Sequence, residues 1–194
     1  MIKDIILASQ SPRRKQLLEW AEILFEVVTA GTDESYPEGL TVEAIPVFIA
    51  NQKAITVKEK LKNAYHAFYA HKPVLAADTV VVLDNRVIGK PINREDAIEI
   101  LSSLSGKKHK VITGVVILHA DKEIKFFDCT EVEFHPLTKQ QIEFYVDKYK
   151  PLDKAGAYAI QEWVGVIGIK KIEGDFYNVM GLPVSRVVQH LKTL

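Results

Sequence analysis

Apolar runs of strand length alternate along this chain with segments in which apolar residues recur at helical spacing, and that alternation predicts a layered architecture of the α/β (mixed α+β) class. Ile5–Ser9 reads as a buried first strand, Pro12–Ala21 as a helix turning Leu17, Leu18 and Ala21 inward, and Phe25–Val28 as a second short strand. A long helix follows to about Tyr69; it starts at Thr41 or, because Pro46 must lie in or near its first turns, somewhat later. Val74–Ala77 and Thr79–Leu83 are strand-like, and Asp84-Asn85 turns the chain back through Val87-Ile88 as a hairpin. Asn93 caps a helix to Leu104. Lys110–His119 and Glu123–Phe134 form a second hairpin around Ala120-Asp121, with Thr130, Val132 and Phe134 alternating on one face. Thr138–Lys148 reads as a helix through Ile142, Tyr145 and Val146, Val164–Lys171 as a strand, and Pro183–Leu191 as a terminal helix. No repeat, low-complexity tract or long linker interrupts the pattern, so the whole of 1–194 reads as a single domain.

Composition narrows the function classes. Lys+Arg and Asp+Glu both number 25, so no general field draws in nucleic acid or a membrane surface, and positive charge must be local. One cysteine, Cys129, excludes an internal disulfide and a cysteine-based zinc site, which fits a reducing cytoplasm. The opening Met1-Ile2-Lys3-Asp4 and its short apolar run do not read as a signal peptide, and no segment approaches a membrane span.

Local charge is concentrated at Ser9-Gln10-Ser11-Pro12-Arg13-Arg14, a strand-to-helix junction. Unpaired N–H groups and the dipole at a helix start favour phosphate, Pro12 suits the first helical position, and Ser11 is the expected N-cap. The forked guanidiniums of Arg13 and Arg14 match phosphate oxygens. The same segment also fits a capped helix with solvated arginines, since it lacks the glycines of a Walker or Rossmann loop. Asp78 ends the apolar run Val74–Ala77, where an ionised carboxylate needs a metal ion, an arginine or a water to deprotonate, unless it caps the turn to Thr79. Asp33-Glu34, in a loop marked by Gly31, supplies the second acidic group that a magnesium site for phosphates requires, or is a surface pair.

Lys90 in the turn Gly89-Lys90-Pro91 and Lys53 among small helical residues are either phosphate contacts or solvated lysines. The basic loop Ser105–His109 leads into a strand with a polar Thr113; His109 is a phosphate donor or a structural histidine, and the other histidines lack ligand spacing. Asp153–Gln161 is dense in small residues around one amide, and Gln161 offers the donor and acceptor needed to read a nucleobase edge or to satisfy loop backbone. Gly174–Pro183 is a further glycine-flanked loop running into a helix start.

In this order the segments resemble the Maf family of nucleoside triphosphate pyrophosphatases, in its dTTP- and UTP-specific branch, over almost the whole chain. The carriers are Ser9-x-Ser11-Pro12-Arg13-Arg14, Asp33-Glu34, Lys53-Ala54, Ala77-Asp78-Thr79-Val80-Val81, Gly89-Lys90-Pro91, Ser105-Gly106-x-x-His109-x-Val111-x-Thr113-Gly114-Val115, Asp153-Lys154-Ala155-Gly156-x-Tyr158-x-Ile160-Gln161 and Asn178-Val179-x-Gly181-Leu182-Pro183. Pro46 in the long helix and Phe176 in the late loop depart from the pattern without touching a proposed catalytic position.

The resemblance implies a Maf/ITPase-like fold with a long curved mixed sheet flanked by helices, two lobes around a deep cleft, and often a homodimer. It implies a nucleotide diphosphatase that uses a divalent metal cation, Mg2+ or Mn2+, to cut nucleoside triphosphates into monophosphate and pyrophosphate, keeping unwanted nucleotides out of nucleic acids. By position, Asp78 is the proton acceptor that activates water; Arg13, Thr79 and Gln161 govern substrate choice; Glu34 and Asp78 face the metal; Ser9, Arg14, Lys53 and Lys90 contact phosphate. Two other readings stay open: a non-catalytic nucleotide-binding regulator of cell division and septum formation, and a 7-methyl-GTP pyrophosphatase. Gln161 and Arg13 argue against the latter, whose branch differs at the specificity positions.

Overall fold

The computed structural model describes residues 4–64 and 71–194. Among these described residues the seven strands are β1 (Ile5–Leu7), β2 (Phe25–Val27), β3 (Val74–Leu83), β4 (Arg86–Ile88), β5 (Lys108–His119), β6 (Lys122–Phe134) and β7 (Ile169–Glu173). They form one mixed sheet in the order β2-β1-β3-β5-β6-β7, with β4 hydrogen-bonded to β3. β1 pairs in parallel with both β2 and β3, whereas β3–β4 and β6–β7 are antiparallel. The helices are α1 (Pro12–Trp20), α2 (Ala44–Ala64), α3 (Arg94–Leu104), α4 (Lys139–Tyr149), α5 (Trp163–Gly168), α6 (Phe176–Met180) and α7 (Val184–Leu191). The α/β class expected from the pattern is therefore the class found.

The chain condenses into two compact units. The first is made of the described parts of Met1–Asp78, Thr113–Asp128 and Gly181–Leu194; the second of Thr79–Ile112 and Cys129–Met180. In the first unit, Ala50, Ala54, Val57 and Leu61 recur at helical spacing along α2 and bury against Ile6, Ala8, Val74, Ala76, Val116 and Leu118 of the strands. The helix lies very close to the sheet. A Cβ on Gly114 of β5 would stand 2.2 Å from the Val47 amide nitrogen, so only glycine admits the first turn of α2 there. Pro46 sits inside that first turn, where its missing N–H costs no hydrogen bond, and the helix begins at Ala44, after Thr41, whose carbonyl accepts from the Ala44 and Ile45 amides. The expected continuation to Tyr69 lies outside the described residues.

In the second unit α3 and α4 pack together, with Leu101, Leu104, Ile142, Tyr145 and Val146 buried. Asn93 caps α3 by accepting from the Asp96 amide, and Thr138 and Gln141 close a reciprocal capping box on α4. Asp84 and Asn85 both adopt positive φ in the β3–β4 turn, a conformation that Asp and Asn tolerate. Bidentate pairing of Arg94 with Asp147, at 2.6 and 2.9 Å, ties α3 to α4.

Three expectations need correction. Val74–Ala77 and Thr79–Leu83 are one continuous strand, so Asp78 lies inside β3 rather than at a strand end. The strand expected over Val164–Lys171 begins only at Ile169: the Glu162 carbonyl accepts from the Gly165 and Val166 amides and winds the preceding residues into α5. Its β-branched composition is overridden by a contact that only glycine allows, since a Cβ on Gly165 would fall 1.9 Å from the Ile160 carbonyl oxygen. The stretch between Gly174 and Pro183, expected as a loop, contains α6, and Pro183 precedes the last helix instead of opening it.

Candidate active site

Sequence-distant residues meet in the first unit around the ammonium of Lys53. Its Nζ donates to Glu34 Oε1 and to Asp78 Oδ1, each at 2.7 Å. Lys53 comes from α2, Asp78 from β3 and Glu34 from the loop after β2. Asp78 is 13% exposed and Lys53 15%, against 48% for Glu34, so the Asp78–Lys53 pair is the better shielded of the two. Asp33, the other acid of the loop, turns away to its own neighbour: both its oxygens accept from Ser35, which lowers its pKa.

Arg14 lies within the field of the same carboxylates. It shares a helical face with Leu17 and Leu18, and that spacing buries it. Its Nε donates to the Gly181 carbonyl at 2.8 Å and its Nη1 to Ser9 Oγ at 3.1 Å. Burial pulls its pKa below the usual guanidinium value; Asp78 and Glu34 oppose that pull, and Arg13 adds to it. A guanidinium nonetheless stays charged. Ser11 occupies the N-cap of α1 without a side-chain cap. Its amide donates to Ser9 Oγ at 3.2 Å, and the first turn carries no acid.

The remaining candidates belong to the second unit. Thr79 follows Asp78 on β3 and is half-buried, Lys90 is exposed in the turn after β4, and Gln161 is exposed just before Glu162, the N-cap of α5. Gln161 tops a braced segment. His109 Nε2 and the Tyr158 hydroxyl share a hydrogen bond of 2.7 Å, and the Ala159 amide donates to the Tyr145 hydroxyl at 3.2 Å. The Tyr145 hydroxyl in turn donates to Glu162, which also pairs with the buried Lys154 at 3.5 Å. Burial pulls His109 down to about 4 and pushes Tyr158 up, so both are neutral near pH 7. His109, one of the two possibilities being a phosphate donor, is thus a buried ring engaged with tyrosine. In the sequence Tyr145 reads only as an apolar helical position, and its partner Glu162 lies 17 residues away, so nothing local signals their bond.

Glu34 and Asp78 offer hard carboxylate oxygens that converge on one cation, the donor chemistry that magnesium or manganese takes beside phosphate. Among the described residues, no group of three or more His, Cys, Asp or Glu gathers as a metal site, so such an ion needs further oxygens from elsewhere. No helix among the described residues is long and apolar enough to cross a membrane.

A mixed sheet flanked by helices, with a carboxylate–lysine–carboxylate cluster beside a strand-to-helix arginine pair, describes a phosphate-handling α/β protein. Residues 4–194 match the family described as Maf-like protein, and the chain belongs to that family. It is 49% identical over 191 residues to a protein of Cytophaga hutchinsonii named dTTP/UTP pyrophosphatase, covering 98% of this chain and 84% of the relative. Proteins of the same name from Bacteroides thetaiotaomicron and Phocaeicola vulgatus are 46% and 47% identical, covering 98% of this chain and 96% and 95% of the relatives.

Proposed function

We propose that this chain hydrolyses dTTP and UTP, and modified pyrimidine triphosphates like them, to the monophosphate and pyrophosphate. The observation that carries the reading is the meeting of Asp78, Glu34 and Lys53, with Arg14 within their field, in a chain 44–49% identical to proteins named for that reaction. Phosphoryl chemistry needs charge neutralisation and positioning more than a covalent nucleophile. Asp78 takes the proton of a water whose oxygen bonds to phosphorus as the bridge between the α and β phosphates breaks. Glu34 and Asp78 would hold the divalent cation, Mg2+ or Mn2+, whose chemistry is to neutralise phosphate oxygens.

Phosphate contacts fall to Ser9, Arg14, Lys53 and Lys90. Ser9 Oγ already accepts from Arg14 and from the Ser11 amide, which leaves its own hydrogen to be given to an anion. The uncapped start of α1 supplies further N–H groups. Arg13, Thr79 and Gln161 choose the base, Gln161 by pairing its amide with the edge of a pyrimidine.

The same reading has the protein work in the cytoplasm, within the nucleotide pool, and as a homodimer, which light scattering of the purified chain reads directly. The deciding experiment is pyrophosphate release from dTTP, UTP, CTP, dATP and 7-methyl-GTP with Mg2+ or Mn2+. Turnover of dTTP and UTP well above the others is expected. A preference for 7-methyl-GTP, or binding without release from any of them, would overturn the reading.

A further inference from the structure

Gln161 is exposed, yet the four residues before it, Ala157–Ile160, are all buried. An amide that must read a base edge needs a fixed origin, and this buried stalk provides one. Its central fastening is the bond between the Tyr158 hydroxyl and His109 Nε2. Around it, the rings of His109, Phe134 and Tyr158 meet edge to face with centroids 5.0–5.5 Å apart, a geometry that fixes the tilt of each ring. The Gly156 amide donates to the Gly89 carbonyl at 3.1 Å, so the stalk is also fastened next to Lys90.

Packing alone does not explain a histidine here. Its Nδ1 is buried without a partner, and a purely apolar side chain on β5 would fill the same space with no polar atom to desolvate. What an apolar side chain lacks is a hook for the tyrosine hydroxyl. We propose that His109 is a positioning residue for substrate recognition, which through Tyr158 sets the place from which Gln161 meets the nucleotide base. The proposal rests on the reading of Gln161 given under the proposed function. His109 touches no substrate; it acts on affinity and selectivity through the stalk.

Tyr158→Phe removes only the hydroxyl, His109→Leu removes the other half of the bond, and His109→Gln returns an amide nitrogen near the Nε2 position. Tyr158→Phe and His109→Leu are expected to raise KM for dTTP and UTP about tenfold with kcat within about threefold, and to narrow the preference for dTTP over dATP. His109→Gln is expected to bring KM back to within about threefold of the parent. On a Gln161→Ala background, Tyr158→Phe should change KM less than about twofold, because both act through one side chain.

A brace with only a structural role would lower the melting temperature and leave KM and the dTTP preference at parental values; that result, or full additivity with Gln161→Ala, overturns the proposal. Should His109→Leu fail to fold, Tyr158→Phe, which keeps the ring, decides alone. A parent inactive on both dTTP and UTP overturns this proposal together with the function beneath it, whereas an active parent with unaltered variants overturns this proposal only.

Discussion

Acidification should destabilise this protein through His109 by an amount that can be worked out. The ring is 2% exposed, lies against Phe134 and Tyr158, and has no acceptor waiting at Nδ1 for an added proton. Burial accordingly lowers its pKa from the ordinary 6.5 to about 4. In the unfolded chain the imidazole protonates as the pH falls through 6.5, while in the folded chain it waits until about 4. The unfolded state therefore binds more protons in that window, and stability falls as the pH falls. At 1.36 kcal/mol per pH unit the gap amounts to ~3 kcal/mol, absent above about pH 7.5 and fully expressed below about 4. Urea unfolding between pH 7.5 and 4, compared with His109→Gln, isolates it, because both proteins share every carboxylate. The parent should lose ~3 kcal/mol more than the variant across the window. Stability profiles parallel to within about 0.5 kcal/mol would refute the reasoning, since they would mean that the folded ring takes a proton as readily as the unfolded one.

Asp78→Asn should lower kcat by about 10²–10⁴-fold while a non-hydrolysable dTTP analogue still binds within about threefold of the parent affinity; a parental rate would remove Asp78 as the base. Removing divalent ions with a chelator should stop turnover yet leave the melting temperature within about 1 °C, because Lys53 already pairs with both Asp78 and Glu34; a loss of several degrees would show that the fold needs the ion. Gly114→Ala should cost about 1–3 kcal/mol in urea unfolding and lower kcat with it, because α2 must lift from β5 and Lys53 travels with the helix; unchanged stability would contradict the 2.2 Å approach at Val47.

Much of this architecture is written locally. Asn93 and Thr138 announce helix starts, Asp84-Asn85 announces a hairpin, and the spacing of Ala50, Ala54, Val57 and Leu61 gives the buried face of α2. Legibility failed where a distant neighbour outvoted local preference. The run Val164–Ile167 has strand composition, but the Glu162 carbonyl and the Gly165–Ile160 approach turn it into a helix. The same holds for the candidate site. Ser9, Arg14, Glu34, Lys53 and Asp78 could each be singled out by chemical type, whereas the burial of Arg14 beside Leu17 and Leu18 comes from the structure. That one ammonium joins Glu34 to Asp78, or that Tyr145 serves both Ala159 and Glu162, is tertiary information with no local signature.

The bond from Arg14 to the Gly181 carbonyl joins residues 167 positions apart. A ribosome that has made the first helix, both acids and Lys53 has still not supplied the oxygen that steadies this guanidinium. Nascent chains short of Gly181 therefore lack one of the bonds that hold Arg14 in place, and that bond closes only after the second unit has already been translated.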